Sequence, residues 1–309
     1  MTARKGSTTM ARWVTAIATG ILLLAACGTA PGGGDAADTS APPTATTTLR
    51  VGDRSVAIHV PDTSTGASAL PLVIALHGYT ASGAEMESYM NIAAEADRRG
   101  FLYAYPDGSR DVRGDRFWNA TDACCDLYGS GVDDSRYLSD VIDALRGAYP
   151  VDPRRVYLVG HSNGAFMAFR MACDHADRVT AVAAFNGAMW QDTARCRPSA
   201  PVSVLAIHST HDESIAFGGG SLSRAYPSAD RTAADWVTLN RCTGSGTDTA
   251  ALDVVADLPG AETAVREFAD CAGGSTVRTW TIDGGAHVPR LAPAFTPAML
   301  DFLLARARP

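Results

Sequence analysis

The stretch Gly160-His161-Ser162-Asn163-Gly164 constrains this chain more than any other. It follows the apolar run Val156-Tyr157-Leu158-Val159 and precedes small and apolar residues from Ala165 to Cys173. That order predicts a strand, a very tight turn and a helix. The pattern is G-x-S-x-G, in which a serine is carried on a strained strand-to-helix turn. Both glycines have a physical reason: the helix backbone passes close to neighbouring strands, where a Cβ would collide. The plainer alternative is a buried serine in an ordinary turn. A carboxylate and then a histidine further along the chain would decide for a nucleophile.

The chain has 309 residues, 46% of them hydrophobic, enough for one large core. A net charge of -7 offers no basic stripe to meet phosphates, which excludes a nucleic-acid partner. At 19% charged residues the chain is not a disordered polyanion.

Residues 1–27 read as a targeting segment. Arg4, Lys5 and Arg12 precede an apolar stretch, Trp13 to Leu24, too short for a comfortable membrane span. It closes with Leu24-Ala25-Ala26-Cys27, which resembles a bacterial lipoprotein box with Cys27 as the lipidated residue. A plain secretory signal is the alternative; both lead to export, to the outer face of the cell membrane or beyond it. Residues 28–47, rich in Gly, Ala, Pro, Thr, Ser and Asp, read as a flexible tether. The folded domain is expected over 48–309.

Export makes the remaining six cysteines disulfide candidates, with 15 possible connectivities. Proximity suggests Cys173–Cys196 and Cys242–Cys271, which leaves Cys124 and Cys125 to each other.

Within the domain, Leu49 to Val60 reads as a hairpin turning at Gly52-Asp53, with His59 facing solvent. Pro71 to Gly78 is a continuous apolar run, as in a strand buried on both faces. Ala84 to Arg99 has helical spacing with Met86, Ile92 and Ala96 inward, and Phe101 to Tyr105 is the next strand. Ser109 to Val132 is a long loop, and Asp133 and Asp134 stand where a carboxylate caps the following helix. Further strands are expected at Val179–Phe185, Val202–His208 and Thr276–Ile282, and helices at Ala229–Leu239 and Pro293–Ala307. Residues 243–275 read as an irregular excursion or a hairpin. Strands alternate with helices, the pattern of an open, mostly parallel sheet with helices on both faces.

A serine hydroxyl needs a base to take its proton, and the base needs a carboxylate to fix its tautomer. On turns of this kind the three follow in the chain order serine, acid, histidine. Of the seven histidines only His287 lies beyond the last core strand, in Asp283-Gly284-Gly285-Ala286-His287. It is the expected general base. Asp212, a short turn after the Val202–His208 strand, is the expected acid, ahead of Glu213, Asp283 and Asp192. The oxyanion amides are expected from Asn163, after the nucleophile, and from Tyr79, with Thr80 next. His77 is expected to order its loop and His161 to pack behind the turn. His208, His211 and Asp212 lack the spacing of a helical zinc motif, so no metal or other cofactor is expected.

At this point LHGYTASG (76–83), the Trp118-Asn119-Ala120 and Cys124-Cys125 segment, VDDSRYL (132–138), YPVDPRRVYLVGHSNGAFMAFRMAC (149–173), IHSTHDESIAFGGG (207–220) and TIDGGAHVPR (281–290) resemble a known group. The chain is similar to polyhydroxybutyrate-depolymerase-like and feruloyl-esterase-like hydrolases of the carbohydrate esterase family one type, its lipoprotein members in particular. The resemblance implies an α/β-hydrolase fold in a single cysteine-stapled domain, with Ser162, Asp212 and His287 as a catalytic triad working through an acyl-enzyme. One departure is visible. Many relatives carry a glycine and a Trp-Pro-Gly around the base histidine, where this chain has Ala286 before His287 and Val288-Pro289-Arg290 after it. The expected activity is hydrolysis of feruloyl, other aromatic or short hydroxyacyl esters, small or oligomeric, with Trp118, Tyr79 and Phe217 lining the pocket. The membrane is a partner only through the lipid anchor; oligomeric state is not set by the sequence. An envelope acyltransferase would use the same triad, and a non-catalytic envelope lipoprotein would not need it.

Overall fold

Helix and strand segments that bury apolar residues on two sides must be covered on two sides, and here they are. The computed structural model describes residues 46–62 and 69–309. The signal segment, Cys27 and the tether up to residue 45 lie outside the described residues. The first strand begins at Thr46, two residues before the expected domain start.

In chain order the elements are β1 (Thr46–Val51), β2 (Arg54–His59), β3 (Leu70–Leu76), α1 (Gly83–Met90), α2 (Ile92–Arg99), β4 (Leu102–Pro106), β5 (Ser109–Arg110) and β6 (Arg116–Phe117). There follow α3 (Asp134–Ala148), β7 (Val151–His161), α4 (Asn163–Asp174), β8 (Ala181–Phe185), β9 (Ser203–Ser209), β10 (Gly220–Ser221) and β11 (Ala225–Tyr226). The last are α5 (Ala229–Leu239), β12 (Thr247–Leu252), β13 (Thr263–Phe268), β14 (Val277–Ile282) and α6 (Phe295–Leu304).

Ten strands form one sheet in the order β1-β2-β4-β3-β7-β8-β9-β14-β13-β12. The run from β4 to β14 is parallel throughout, and antiparallel strands extend it at both edges. Successive residues of β3 serve opposite cores: Leu72, Ile74 and Leu76 pack with α3, α4 and α5, while Val73 and Ala75 pack with α1, α2 and α6. This two-sided burial is why the strand reads as an unbroken apolar run. The fold is the expected α/β sheet with helices on both faces.

Two local expectations are corrected, and one left between two alternatives is decided for the hairpin. Ala84–Arg99 is two helices, because Asn91 takes a left-handed conformation (φ 51°) and the Glu87 carboxylate caps the second through the Ile92 and Ala93 amides. His59 does not face solvent: it is 2% exposed and bonds Asp97 at 2.8 Å, because α2 covers that face of β2. Residues 243–275 are a hairpin, β12–β13, whose second strand pairs with β14 and so widens the sheet.

Asp133 caps α3 by accepting the Arg136 N–H. Asp134 is fully buried, accepting from Arg54, Ser109 and the Asn119 N–H, which ties the long loop to the hairpin β1–β2. Disulfides join Cys173 to Cys196, Cys242 to Cys271 and Cys124 to Cys125. Among the described residues no helix is long and apolar enough to cross a membrane.

Candidate active site

The parallel strands β3, β7, β8 and β9 all end at one edge of the sheet, and the expected site residues gather there. Between β7 and α4, Ser162 has φ 55° and ψ -122°, a region costing a non-glycine residue about 1–3 kcal/mol. The surroundings enforce it. A Cβ on Gly160 would lie 2.0 Å from the Gly164 carbonyl oxygen, and one on Gly164 would lie 2.0 Å from the Leu76 carbonyl oxygen. The Ser162 N–H donates to Phe185 O at 2.8 Å, pinning the turn to the end of β8.

His287 stands on the turn after β14. Its Nε2 is 2.9 Å from Ser162 Oγ, and its Nδ1 is 2.8 Å from Asp212 Oδ2. The other oxygen of Asp212 accepts the amides of Ser214 and Ile215 at 2.8 and 2.7 Å. Both oxygens are therefore assigned, which leaves Oδ2 to orient the imidazole. The other acids are engaged elsewhere. Glu213 accepts the His287 N–H, Asp283 accepts from the Thr210 hydroxyl, and Asp192 accepts the Ala194 N–H.

Burial shapes the neighbouring histidines. His208 meets Ile215 O at 2.7 Å and lies behind Asp212, with its pKa lowered by burial. His211 is at the surface, and no cluster of metal-ligating residues occurs among the described residues. His77 has both ring nitrogens committed, Nδ1 donating to Gly78 O and Nε2 accepting the Gly108 N–H; burial lowers its pKa as well. It braces the loop after β3. On that loop the Thr80 N–H is already bound to Arg116 O, whereas the N–H groups of Tyr79 and Asn163 donate to no acceptor among the described residues. Those two amides remain available to an oxyanion.

Ser162 and His287 open onto a cleft of about 280 Å3, walled by Tyr79, Met86, Tyr89 and Val288. Tyr79 Oη donates to Asp111, and burial together with that carboxylate raises its pKa to about 12. Tyr89 Oη donates to Pro289 O, and burial raises its pKa too. Both phenols stay neutral, and with their hydroxyls occupied they offer the cleft mainly ring surface.

Two expected lining residues are placed otherwise. Trp118 is fully buried: its indole N–H donates to His77 O, and its backbone exchanges two hydrogen bonds with the Asn163 side chain. It supports the floor of the site because the loop carrying it folds under rather than over Ser162. Phe217 packs edge-on against His208, with ring centroids 5.7 Å apart, and lines a different, small cavity. Sequence reasoning passed over Asn186, which follows β8 with φ 55° and reaches the His287 carbonyl at 2.8 Å. Its signal was Phe185-Asn186-Gly187, an asparagine that tolerates the left-handed region at a strand end.

Residues 54–233 match the family described as Esterase PHB depolymerase. NocK of Nocardia uniformis subsp. tsuyamanensis, a protein assigned as an esterase, is 33% identical over 238 residues, which cover 72% of this chain and 68% of NocK. Feruloyl esterase B of Piromyces equi is 30% identical over 76% of this chain, a match that spans 42% of its own length. Poly(3-hydroxyalkanoate) depolymerase C of Paucimonas lemoignei is 29% identical over 38% of this chain and 28% of its own. Among solved structures, the acetyl xylan esterase from Aspergillus awamori superposes with a TM-score of 0.58 at 17% identity, covering 84% of this chain and 99% of that one. That likeness shows a shared fold, the α/β-hydrolase fold.

Proposed function

The chain belongs to the Esterase PHB depolymerase family, and from that membership we propose that it hydrolyses carboxylic esters through an acyl-enzyme on Ser162. The observation that carries the reading is the continuous relay of Ser162 Oγ, His287 and Asp212, with contacts of 2.9 and 2.8 Å. His287 Nε2 takes the hydroxyl proton as Ser162 Oγ attacks the ester carbonyl. Asp212 stabilises the imidazolium that forms. The amides of Tyr79 and Asn163 receive the oxyanion of the tetrahedral intermediate. Its collapse breaks the bond to the leaving oxygen, which takes the proton from His287 and departs as the alcohol. Water then attacks the acyl-serine with His287 again as base, and the acid is released with Ser162 restored.

The tyrosine-walled cleft suits an aromatic or short hydroxyacyl group. The names of the relatives, feruloyl esterase and poly(3-hydroxyalkanoate) depolymerase, support the same range. Three disulfides support export, since such bonds persist in oxidising compartments. Anchoring through a lipid on Cys27 is the finer form of that reading.

Ser162→Ala is expected to abolish turnover of p-nitrophenyl acetate and labelling by a fluorophosphonate probe. Labelling that persists in the variant overturns the assignment. Methyl ferulate, hydroxybutyrate oligomers and acetylated sugars, offered with and without an added alcohol acceptor, then rank the acyl groups. Product that follows the acceptor in excess water would mark a transferase.

A further inference from the structure

A base histidine must be placed as well as oriented. Asp212 fixes the rotation of the His287 ring, but the ring moves wherever its backbone moves. That backbone belongs to a turn with two consecutive glycines, one of them (Gly284) at φ +77°. Such a turn is intrinsically free, so something outside it must hold it.

The His287 carbonyl oxygen accepts two hydrogen bonds from side chains distant in sequence. Asn186 Nδ2 lies 2.8 Å from it and His161 Nε2 lies 2.9 Å from it. On its other side, the His287 N–H donates to Glu213 at 3.1 Å. Both carbonyl donors are themselves immobilised. Asn186 accepts the Ser209 N–H through Oδ1 at 2.8 Å, and its own N–H donates to Ile207 O at 2.9 Å. The His161 ring is packed against Tyr89, Phe185 and His287, with centroids 5.1–5.5 Å away.

The two donors also share a frame with the nucleophile. His161 directly precedes Ser162, and Asn186 directly follows Phe185, whose carbonyl accepts the Ser162 N–H. Resting on the reading of His287 as the base, we infer that His161 and Asn186 are positioning residues: they register the base to the nucleophile by gripping its main-chain carbonyl from the β7–β8 edge. Any shift of that edge carries serine and histidine together, so their 2.9 Å contact is preserved. A carbonyl oxygen only accepts, so the 2.9 Å contact places the ring proton on His161 Nε2. Burial lowers the His161 pKa to about 4 and keeps the ring neutral, so Nδ1 carries no proton.

The test uses the full chain with p-nitrophenyl acetate as probe, together with the proton resonance of the His287 Nδ1–H. His161→Leu keeps bulk but removes the donor, His161→Gln supplies an amide donor in its place, and Asn186→Gly removes the side chain at a backbone angle glycine accepts. His161→Leu and Asn186→Gly are each expected to lower kcat about 10- to 100-fold with KM within about twofold, the size of effect that slight misplacement produces. The Nδ1–H resonance should broaden or vanish in both, and His161→Gln should restore most of kcat and the resonance. The inference is overturned if both donor-free variants, folded by circular dichroism, keep kcat within about twofold of the parent. It is also overturned if His161→Leu raises KM alone, which would make His161 a wall of the cleft. Ser162→Ala, run alongside, separates the two levels. An inert Ser162→Ala with unaffected donor-free variants removes only the positioning role, whereas an active Ser162→Ala removes the esterase reading and this inference with it.

Discussion

The turn at Ser162 and the turn at His287 deliver the two side chains that meet at 2.9 Å, yet they are held in opposite ways. The Ser162 turn is locked by its own chain and by the strand beside it. Gly160 meets Gly164, and Gly164 meets Leu76, with no room for a Cβ at either. The His287 turn has two consecutive glycines and is held from outside by groups 74 to 126 residues distant: Glu213, Asp212, Asn186 and His161. A serine placed by hard-core contacts has one available position. A histidine placed by hydrogen bonds has a position only as good as its partners.

The most severe way to break the second arrangement is Asp212→Asn. With Ser214 and Ile215 amides still satisfied by one side-chain oxygen, the fold is expected to survive, while kcat for p-nitrophenyl acetate falls about 10³- to 10⁴-fold. A loss under tenfold would move the role to Glu213, the other carboxylate on this turn.

A pair of glycine substitutions sharpens the contrast through stability. Gly164→Ala drives a Cβ to within 2.0 Å of backbone and is expected to cost about 3 kcal/mol or more. Gly284→Ala meets only the end of the Leu258 side chain at 3.5 Å, so its cost is that of its φ of +77°, about 1–2 kcal/mol. Urea unfolding monitored by tryptophan fluorescence measures both. Equal costs would mean that the two turns are held alike after all.

A change of pH joins the two regions at His161. Its folded pKa of about 4 lies below the ordinary histidine value of 6.5, so between those values the unfolded chain binds the proton and the folded chain does not. Stability is therefore complete above pH 6.5 and falls as pH drops toward 4, by on the order of 3 kcal/mol from this one ring. Burial acts on His77 and His208 in the same direction. Denaturation midpoints from pH 7 to pH 4 should fall steeply in the parent and more gently in His161→Gln. An identical slope in the two would show that His161 is not buried neutral.

The reach of sequence reasoning follows the same division. The strand-turn-helix at 156–173 was legible because its pattern, its glycines and its apolar runs are all local. The parallel sheet was legible because β3 and β7 are apolar on both faces and α4 follows at once. His59 was misread because alternation along a strand says which residues share a face but not what covers it, and α2 covers that face. Trp118 and Phe217 were misread because an aromatic residue on a loop carries no mark of whether the loop folds over the cleft or beneath it. Asn186 was passed over because one asparagine at a strand end has many local uses, and its use here is 101 residues away.

By itself, then, the sequence determined that this chain has a serine on a sterically compelled turn, an acid and a histidine in the order such turns require, and strands able to hold them in one layer. Those features depend on contacts between near neighbours and on which residues can be buried at all. Only the tertiary structure decided how His287 is held, which of Tyr79 and Thr80 keeps an amide without an acceptor among the described residues, and which aromatic rings face the cleft. Each of these depends on hydrogen bonds and packing between segments far apart in the chain, and their geometry exists only once the sheet has brought those segments together.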